Sequence, residues 1–84
     1  MYKNCYYNVW VSTSVEAIAE HVKMRAALSL CNRYIHRYLN NCTFEKDITN
    51  TYKDEVTGEQ KRIRYIIYTH GTTKQIVTFT IVMC

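Results

Sequence analysis

Residues 60–70, with the sequence QKRIRYIIYTH, place arginine, tyrosine and histidine at alternate positions. Alternate side chains of a β-strand share a face, so four polar or aromatic side chains are predicted to line one side of a sheet. They are Arg62, Arg64, Tyr68 and His70. Arginine pairs with phosphates and carboxylates, and aromatic rings stack on bases or anchor protein partners. The pattern therefore indicates a binding surface.

Three interpretations of this face, which is also predicted to carry Trp10, remain open. Arginines interleaved with aromatic rings can bind single-stranded nucleic acid. A mixed Trp, Tyr and Arg surface is also typical of hot spots in protein interfaces. Alternatively, Arg62 and Arg64 pair with Glu45 and Asp47 on the next strand and only support the sheet. The two acidic residues argue against nucleic acid at this face.

A second candidate surface lies later in a predicted helix. Four polar residues have the i, i+3, i+4, i+7 spacing of one helix face. They are Arg33, His36, Arg37 and Asn40. Positive charge near a helix C-terminus is favoured by the helix dipole, so stability alone explains the stripe. Contact with phosphate or with an acidic protein is the alternative, and the net charge of +4 is modest for a dedicated nucleic-acid binder.

The cysteines and histidines do not have the spacing of a zinc site or a nucleophilic pair. They are Cys5, Cys31, Cys42, Cys84, His21, His36 and His70. Cys31 and His36 lie about 140° apart on a helix, and His70 stands in a single His-x-Thr beside a glycine turn. No phosphate-binding glycine loop occurs. The chain is therefore predicted to have reduced thiols, no metal, no cofactor and no enzymatic activity.

Five segments are predicted to position these residues. A capping box at Thr13 and Glu16 predicts a helix start after the first strand, and short turns around Gly58 and Gly71 predict a meander of three strands. The segments are a strand at 4–11, a helix at 14–40, and strands at 43–53, 60–70 and 74–84. The order β-α-β-β-β predicts a single α+β domain over residues 1–84, with a mostly antiparallel four-stranded sheet against the helix.

The apolar residues of the predicted helix change face along its length. A first stripe, which Arg33 and Arg37 continue, holds Val15, Ile18, Ala19, Val22, Ala26 and Leu30. A second stripe on nearly the opposite side holds Met24, Leu28, Cys31, Ile35, Tyr38 and Leu39. Either the segment breaks near residues 23–27 into two helices, or one helix of about 39 Å overhangs its sheet. An overhang would be covered by a second subunit, which predicts a homodimer.

Strand alternation gives a predicted core on the helix side of the sheet. Its members are Tyr7, Val9, Val11, Phe44, Ile48, Ile63, Tyr65, Ile67, Val77, Phe79 and Ile81. The opposite face is predicted to carry Tyr6, Trp10, Arg62, Arg64, Ile66, Tyr68, His70, Ile76 and Val82. That face is too apolar to be only solvated and too basic to be only core.

Composition bounds the cellular setting. No window approaches the roughly 18 uninterrupted apolar residues of a membrane span, and the start MYKNCYYNVW lacks the pattern of a secretory signal. We therefore expect a cytoplasmic protein without membrane contact. Residues with AT-rich codons total 33 against 11 for Gly, Ala, Arg and Pro. That ratio favours an AT-rich source such as a phage, in which case the protein acts in the host cytoplasm.

The leading hypothesis is a small non-enzymatic binding protein, homodimeric, that regulates or inhibits a macromolecular partner. The compositional ratio favours a phage or mobile-element accessory protein that acts on a host or defence component. A protein partner is favoured over nucleic acid, with Trp10 and Tyr68 as anchors. The alternative is an RNA- or DNA-binding module that uses Arg33, Arg37, Arg62 and Arg64.

Overall fold

A five-stranded antiparallel sheet with one helix on one face makes up the fold, as a computed structural model that describes residues 5–84 shows. The elements are β1 (Tyr7–Val11), β2 (Ala19–Val22), α1 (Met24–Tyr38), β3 (Cys42–Lys53), β4 (Gln60–His70) and β5 (Ile76–Met83). The strand order across the sheet is β2-β1-β5-β4-β3. The predicted α+β class is confirmed, whereas the prediction of four strands was one short. The predicted strand start at residue 4 lies outside the described residues.

Strand β5 occupies the middle of the sheet, antiparallel to β1 on one side and β4 on the other. Its residues alternate in burial, and the buried set is Val77, Phe79, Ile81 and Met83. The buried residues of β1 are Tyr7, Val9 and Val11. These two strands therefore point their predicted apolar faces towards the helix, and that part of the predicted core is confirmed. We call this side of the sheet the inner face.

Residues 12–22 do not form the predicted first part of a helix. Thr13 bonds through its hydroxyl to the Tyr34 hydroxyl at 3.2 Å instead of capping a helix. The chain turns, the Ile18 amide donates to the Val9 carbonyl at 2.8 Å, and β2 then pairs with β1. Since β1 would otherwise end the sheet with unpaired backbone groups, pairing with β2 satisfies hydrogen bonds that a helix would leave open.

Side chains around β2 fix this edge strand in place. The His21 backbone lies at a φ of 53°, in the left-handed region, and its amide donates to the Asn8 side-chain oxygen at 2.9 Å. The His21 ring stacks on Tyr6 with centroids 4.1 Å apart. The Lys23 ammonium lies over the Tyr6 ring, 5.6 Å from its centroid. These contacts hold β2 and the residue after it against the chain around β1.

Helix α1 starts at Met24, so the apolar stripe changes face where the secondary structure changes. Lys23 is extended and supplies no side-chain cap. The helix buries Ala27, Cys31 and Ile35, which belong to or adjoin the second predicted stripe. The segment does break near residues 23–27, as the first explanation required, but not into two helices, and the single long helix is also wrong. Residues 15–22 of the first stripe belong to a loop and a strand. Among residues 5–84 no helix is long and apolar enough to cross a membrane.

Strand β4 faces the opposite way from the prediction. Ile66 pairs with Phe79 and Arg64 with Ile81, and directly opposed residues of neighbouring strands share a face. Since Phe79 and Ile81 are fully buried under the helix, the side of β4 that faces inward is the one predicted to face outward. Ile63, Tyr65 and Ile67 therefore lie on the other side of the sheet, which we call the outer face. Their predicted place in the core was wrong.

Strand β3 changes face along its length because of a β-bulge. The register against β4 shifts between Phe44 and Lys46, and the extra residue reverses the alternation. Phe44 pairs with the inner-facing Tyr68, whereas Ile48 pairs with the outer-facing Tyr65. The prediction that Phe44 and Ile48 share the helix side was therefore wrong for Ile48.

The turn between β3 and β4 is organised by Asp54. Its carboxylate accepts the backbone amides of Val56 at 2.8 Å and Thr57 at 3.3 Å. These bonds hold the pKa of Asp54 below its ordinary value, with a further contribution from Lys61. Gly58 closes the turn at a φ of 75°, which favours a residue without a Cβ atom.

Candidate binding surfaces

Arg62 and Arg64, the arginines of the predicted binding face, lie on the inner face and are partly buried. Arg62 donates to the Tyr7 hydroxyl at 3.0 Å. Arg64 donates to Asp47 from two nitrogens, with Nε to Oδ1 at 2.8 Å. This ion pair lowers the pKa of the Asp47 carboxyl. The pairing of Arg64 with Asp47, one of the three predicted interpretations, is therefore present.

Tyr68 belongs to a row of aromatic rings that crosses the inner face from the helix to the edge of the sheet. It contacts Phe79 edge-on at 5.9 Å and Phe44 at 5.8 Å between centroids. Tyr34 of α1 contacts Phe79 in the same way at 5.8 Å. Burial raises the pKa of the Tyr68 hydroxyl. Tyr68 therefore supports the fold and is not an exposed anchor.

The predicted site residues are divided among four places. Trp10 pairs with Thr80 and lies on the outer face, apart from Arg62, Arg64 and Tyr68 on the inner face. His70 accepts the amides of Thr72 and Thr73 in the turn before β5. Arg33 and Arg37 are exposed on α1. The single surface that the alternation of β4 predicted is therefore not assembled.

The outer face carries a group of large apolar and aromatic side chains that we call the outer patch. Its members come from four adjacent strands and are partly or fully exposed. They are Trp10, Ile48, Tyr52, Ile63, Tyr65, Ile67, Ile76 and Val82. Over residues 5–84 no second helix covers them. The patch exists because β4 is apolar on both sides, so whichever side faces the helix leaves the other in solvent.

The charge on the outer face is low and lies at its two ends. Lys46 and Lys61 share the face with the patch, at opposite ends of the β3–β4 pair, and no acidic residue alternates with them in register. At the Lys46 end a shallow depression of about 330 Å³ is lined by Glu45, Lys46, Ile67, Thr69 and Ile76. Glu45, the bulge residue, borders this depression. An aromatic and aliphatic centre with charges at its rim is typical of protein interfaces.

A second surface lies along α1, and we call it the helix groove. Its lining residues are Ile18, Leu30, Arg33, Tyr34, Arg37 and Tyr38, around a cavity of about 190 Å³. The Arg37 guanidinium lies over the Tyr38 ring at 5.5 Å. The helix contains no Asp or Glu, so its charged side chains are all basic. Arg33 and Arg37 are thus brought together, as the helical spacing predicted.

One of the thiols, that of Cys31, is buried on the inner side of α1. Burial raises the pKa of the Cys31 thiol to about 11, so it is protonated at neutral pH and a weak nucleophile. Within the part of the chain that is described, no three His, Cys, Asp or Glu side chains cluster as metal ligands. Among residues 5–84 no two cysteines are joined by a disulfide.

Sequence reasoning missed five of the eight outer-patch residues. It placed Trp10, Ile76 and Val82 outward, but together with residues that face inward. The expected pairing of Arg64 with Asp47 gave no signal, because it is compatible with the inner face as well as the outer. The chain has no significant match to a model of a known protein family, a curated protein or a solved structure.

Proposed function

We propose that this protein is a small non-enzymatic binding protein that docks a protein partner on its outer patch and thereby regulates or inhibits it. We further propose that it acts as a homodimer in the cytoplasm. The use of residues with AT-rich codons supports an origin in a phage or mobile element, with a host or defence component as the partner. The outer patch is the observation that carries the proposal.

The size and composition of the outer patch support a protein partner. Four strands spaced about 4.8 Å apart and some eight residues of about 3.3 Å each give a face on the order of 400 Å². Apolar patches of this size on a monomer are often functional. Trp10 and Tyr65 are aromatic side chains of the type that dominates hot spots. The near absence of charge in the centre favours a desolvated protein contact over phosphate.

The test is capture of partners from the native host cell, with and without nuclease treatment. We expect capture by the wild-type protein to survive nuclease and to be lost in a Trp10→Ala, Tyr65→Ala double variant. These side chains point away from the core, so circular dichroism should show an unchanged fold. The matched control is Arg33→Glu with Arg37→Glu, on the opposite side of the molecule, which should retain the partner.

Two results would contradict this proposal. Capture that is unchanged in the Trp10, Tyr65 variant would show that the outer patch does not bind the partner. Capture that disappears with nuclease would show that nucleic acid carries the contact. Once a partner is identified, each alanine variant should raise its Kd by about 30-fold, the equivalent of a hot spot of about 2 kcal/mol.

Nucleic-acid binding is the second candidate, and the helix groove is the observation that favours it. Arg33 and Arg37 lie beside the rings of Tyr34 and Tyr38, a combination that suits phosphates and stacked bases. Arg33 and Arg37 are exposed on α1. Arg62 and Arg64, in contrast, are hydrogen-bonded to Tyr7 and Asp47 on the inner face. Nucleic-acid binding would therefore use the helix and not the sheet.

Filter binding of generic RNA between about 50 and 200 mM salt tests this candidate, because each neutralised phosphate releases a counterion. The candidate predicts steep salt dependence and loss of binding in the Arg33→Glu, Arg37→Glu variant. Arg25→Glu, at the far end of the same helix, is the control for net charge and should bind more strongly than the double variant. No retention of RNA at the low-salt end would eliminate it.

A further inference from the structure

Strand β3 forms an edge of the sheet and pairs only with β4, so one side of its backbone faces away from the sheet. Proteins usually protect such an edge with charges, bulges or short strands. The first half of β3 has these devices, with the bulge near Glu45 and charges at Lys46 and Asp47. The second half, residues 48–52 with the sequence ITNTY, is regular, uncharged and exposed. This half of the edge is open to another strand.

The side chains around this open segment are complementary to those of a second copy that runs in the opposite direction. If two copies of β3 run antiparallel with Asn50 opposite Asn50, Thr49 lies opposite Thr51 and Ile48 opposite Tyr52. One position further out, Asp47 lies opposite Lys53, a pair of opposite charges. These combinations are the cross-strand pairs that stabilise antiparallel sheets.

We propose that two copies of this chain pair antiparallel through β3, with the two-fold axis at Asn50, to form a continuous ten-stranded sheet. This inference rests on the proposed homodimer and specifies its interface. The paired segment extends from Asp47 to Lys53. Beyond it, Lys46 lies opposite Asp54, whereas Glu45 and Glu55 stand at the bulge and in the turn, outside the paired segment.

The alternation of β3 agrees with this pairing. Directly opposed residues of an antiparallel pair must point to the same face. Asp47 and Thr49 pair with inner-facing residues of β4, as does Thr51 with Arg62, and Lys53 continues that alternation. Ile48 and Tyr52 both lie on the outer face. The charged pair therefore forms on the helix side, where Arg64 already orients the Asp47 carboxylate.

Other registers give poorer pairs. An axis at Thr51 would place Asp47 opposite Glu55, two like charges, and Ile48 opposite Asp54. An axis at Thr49 would place Ile48 opposite Asn50 and leave Asp47 opposite an uncharged Thr51. Because like charges and mismatched polar pairs are unfavourable across strands, the Asn50 register is the one that the sequence specifies.

The pairing has a consequence for the outer patch. A two-fold axis perpendicular to the sheet keeps both helices on one side and both outer faces on the other. Ile48 of each copy would meet Tyr52 of the other copy at the junction, so the two patches would join into one surface. A symmetric or elongated protein partner would then contact both copies.

The axis at Asn50 allows a charge-pairing experiment, because Asn50 of one copy would lie opposite Asn50 of the other. Asn50→Lys and Asn50→Glu each create two like charges at the axis, whereas a mixture of the two variants creates an opposite pair. We expect light scattering to give about 20 kDa for the wild-type protein, twice the 10.0 kDa chain. Each variant alone should give the monomer mass, and an equimolar mixture should restore the dimer. Ser29→Lys, exposed on α1, is the control for net charge and should stay dimeric.

Several outcomes would overturn the pairing. A dimer that persists in both Asn50 variants would place the interface elsewhere while leaving the homodimer itself intact. A wild-type monomer would overturn both the pairing and the proposed homodimer. If an Asn50 variant is unfolded by circular dichroism, Lys53→Glu replaces it: this exposed residue would face Asp47 of the other copy, and failure to weaken the dimer would contradict the register. Trp10→Ala with Tyr65→Ala should remain dimeric, which separates this test from that of partner binding.

Discussion

Strands β5 and β3 belong to the same sheet and both contain alternating apolar residues, yet they have opposite relations to solvent. Four of the eight residues of β5 are buried, whereas none of the twelve residues of β3 is. Strand β5 has neighbours on both edges, and the helix covers its inner face. Strand β3 has one neighbour, and Phe44 on its inner face remains 54 % exposed.

This difference separates the residues that stabilise the monomer from those that are available for association. Burial of apolar surface is the main favourable term in folding, so β5 contributes far more to the free energy of unfolding than β3 does. The length of β3, the longest strand in the described chain, is therefore not explained by stability. We infer that it provides surface for contacts with other chains.

The largest expected effect comes from the same substitution in the two strands. Phe79→Ala removes a fully buried ring that contacts Tyr34 and Tyr68, and should lower the free energy of unfolding by about 3–5 kcal/mol. Phe44→Ala removes a half-exposed ring with one aromatic contact, and should cost roughly 1 kcal/mol. Urea denaturation followed by circular dichroism measures both.

Similar losses for the two phenylalanines would break the comparison, since they would show that β3 is part of the stabilising core. Because an 84-residue domain has only about 4–13 kcal/mol of stability, the Phe79→Ala protein is at risk of being unfolded without urea. Phe79→Leu and Phe44→Leu then serve as a milder matched pair with the same expected order.

A smaller effect is expected from Asp47, the side chain of β3 that is tied to β4 by an ion pair. Its pKa in the folded protein lies below the ordinary value of 3.8, chiefly because Arg64 donates hydrogen bonds to it. The associated stability is present above that value and is lost as the pH falls through the lowered pKa. For an ion pair this exposed, on the order of 1 kcal/mol or less is expected.

Thermal unfolding of the wild-type protein and an Asp47→Asn variant checks this contribution. The variant should be less stable at neutral pH, and the two proteins should converge in acid, where Asp47 is protonated in both states of the wild type. A constant difference across the pH range would mean that Asp47 stabilises β3 without using its charge.

The smallest expected effect is a difference in alkylation rate between a buried thiol of α1 and a thiol of β3. Cys31 lies on the buried side of α1 and is 2 % exposed, and burial raises its thiol pKa to about 11. Cys42 begins β3 and is partly exposed. Alkylation of the folded protein at mildly alkaline pH, followed by mass spectrometry of peptides, should label Cys42 well before Cys31. Equal rates would show that α1 opens as readily as the edge of the sheet.

Much of the fold follows from local sequence. The alternation in β1 and β5 predicts both strands and their buried faces, because only one side of each is strongly apolar. The turns around Gly58 and His70 lie where the sequence places them. The second apolar stripe, which includes Cys31 and Ile35, predicts the buried side of α1, to which the structure adds Ala27.

The binding surface was less predictable, because β4 is apolar on both sides. Ile63, Tyr65 and Ile67 form a more apolar face than Arg64 and Ile66 do, so local patterning favours the wrong side. Long arginine side chains can cover apolar surface with their stems while their charged ends reach polar partners. Arg62 and Arg64 do so through Tyr7 and Asp47.

The sequence by itself determined the α+β class, the inner faces of β1 and β5, the exposed basic residues of α1 and the reverse complementarity of β3. Only the tertiary structure decided that residues 19–22 pair with β1, that a bulge reverses β3 and that β4 turns its arginines inward. Each of these features depends on hydrogen bonds between strands distant in sequence. Local propensity cannot specify such contacts, because a one-residue change in register exchanges the two faces of a strand.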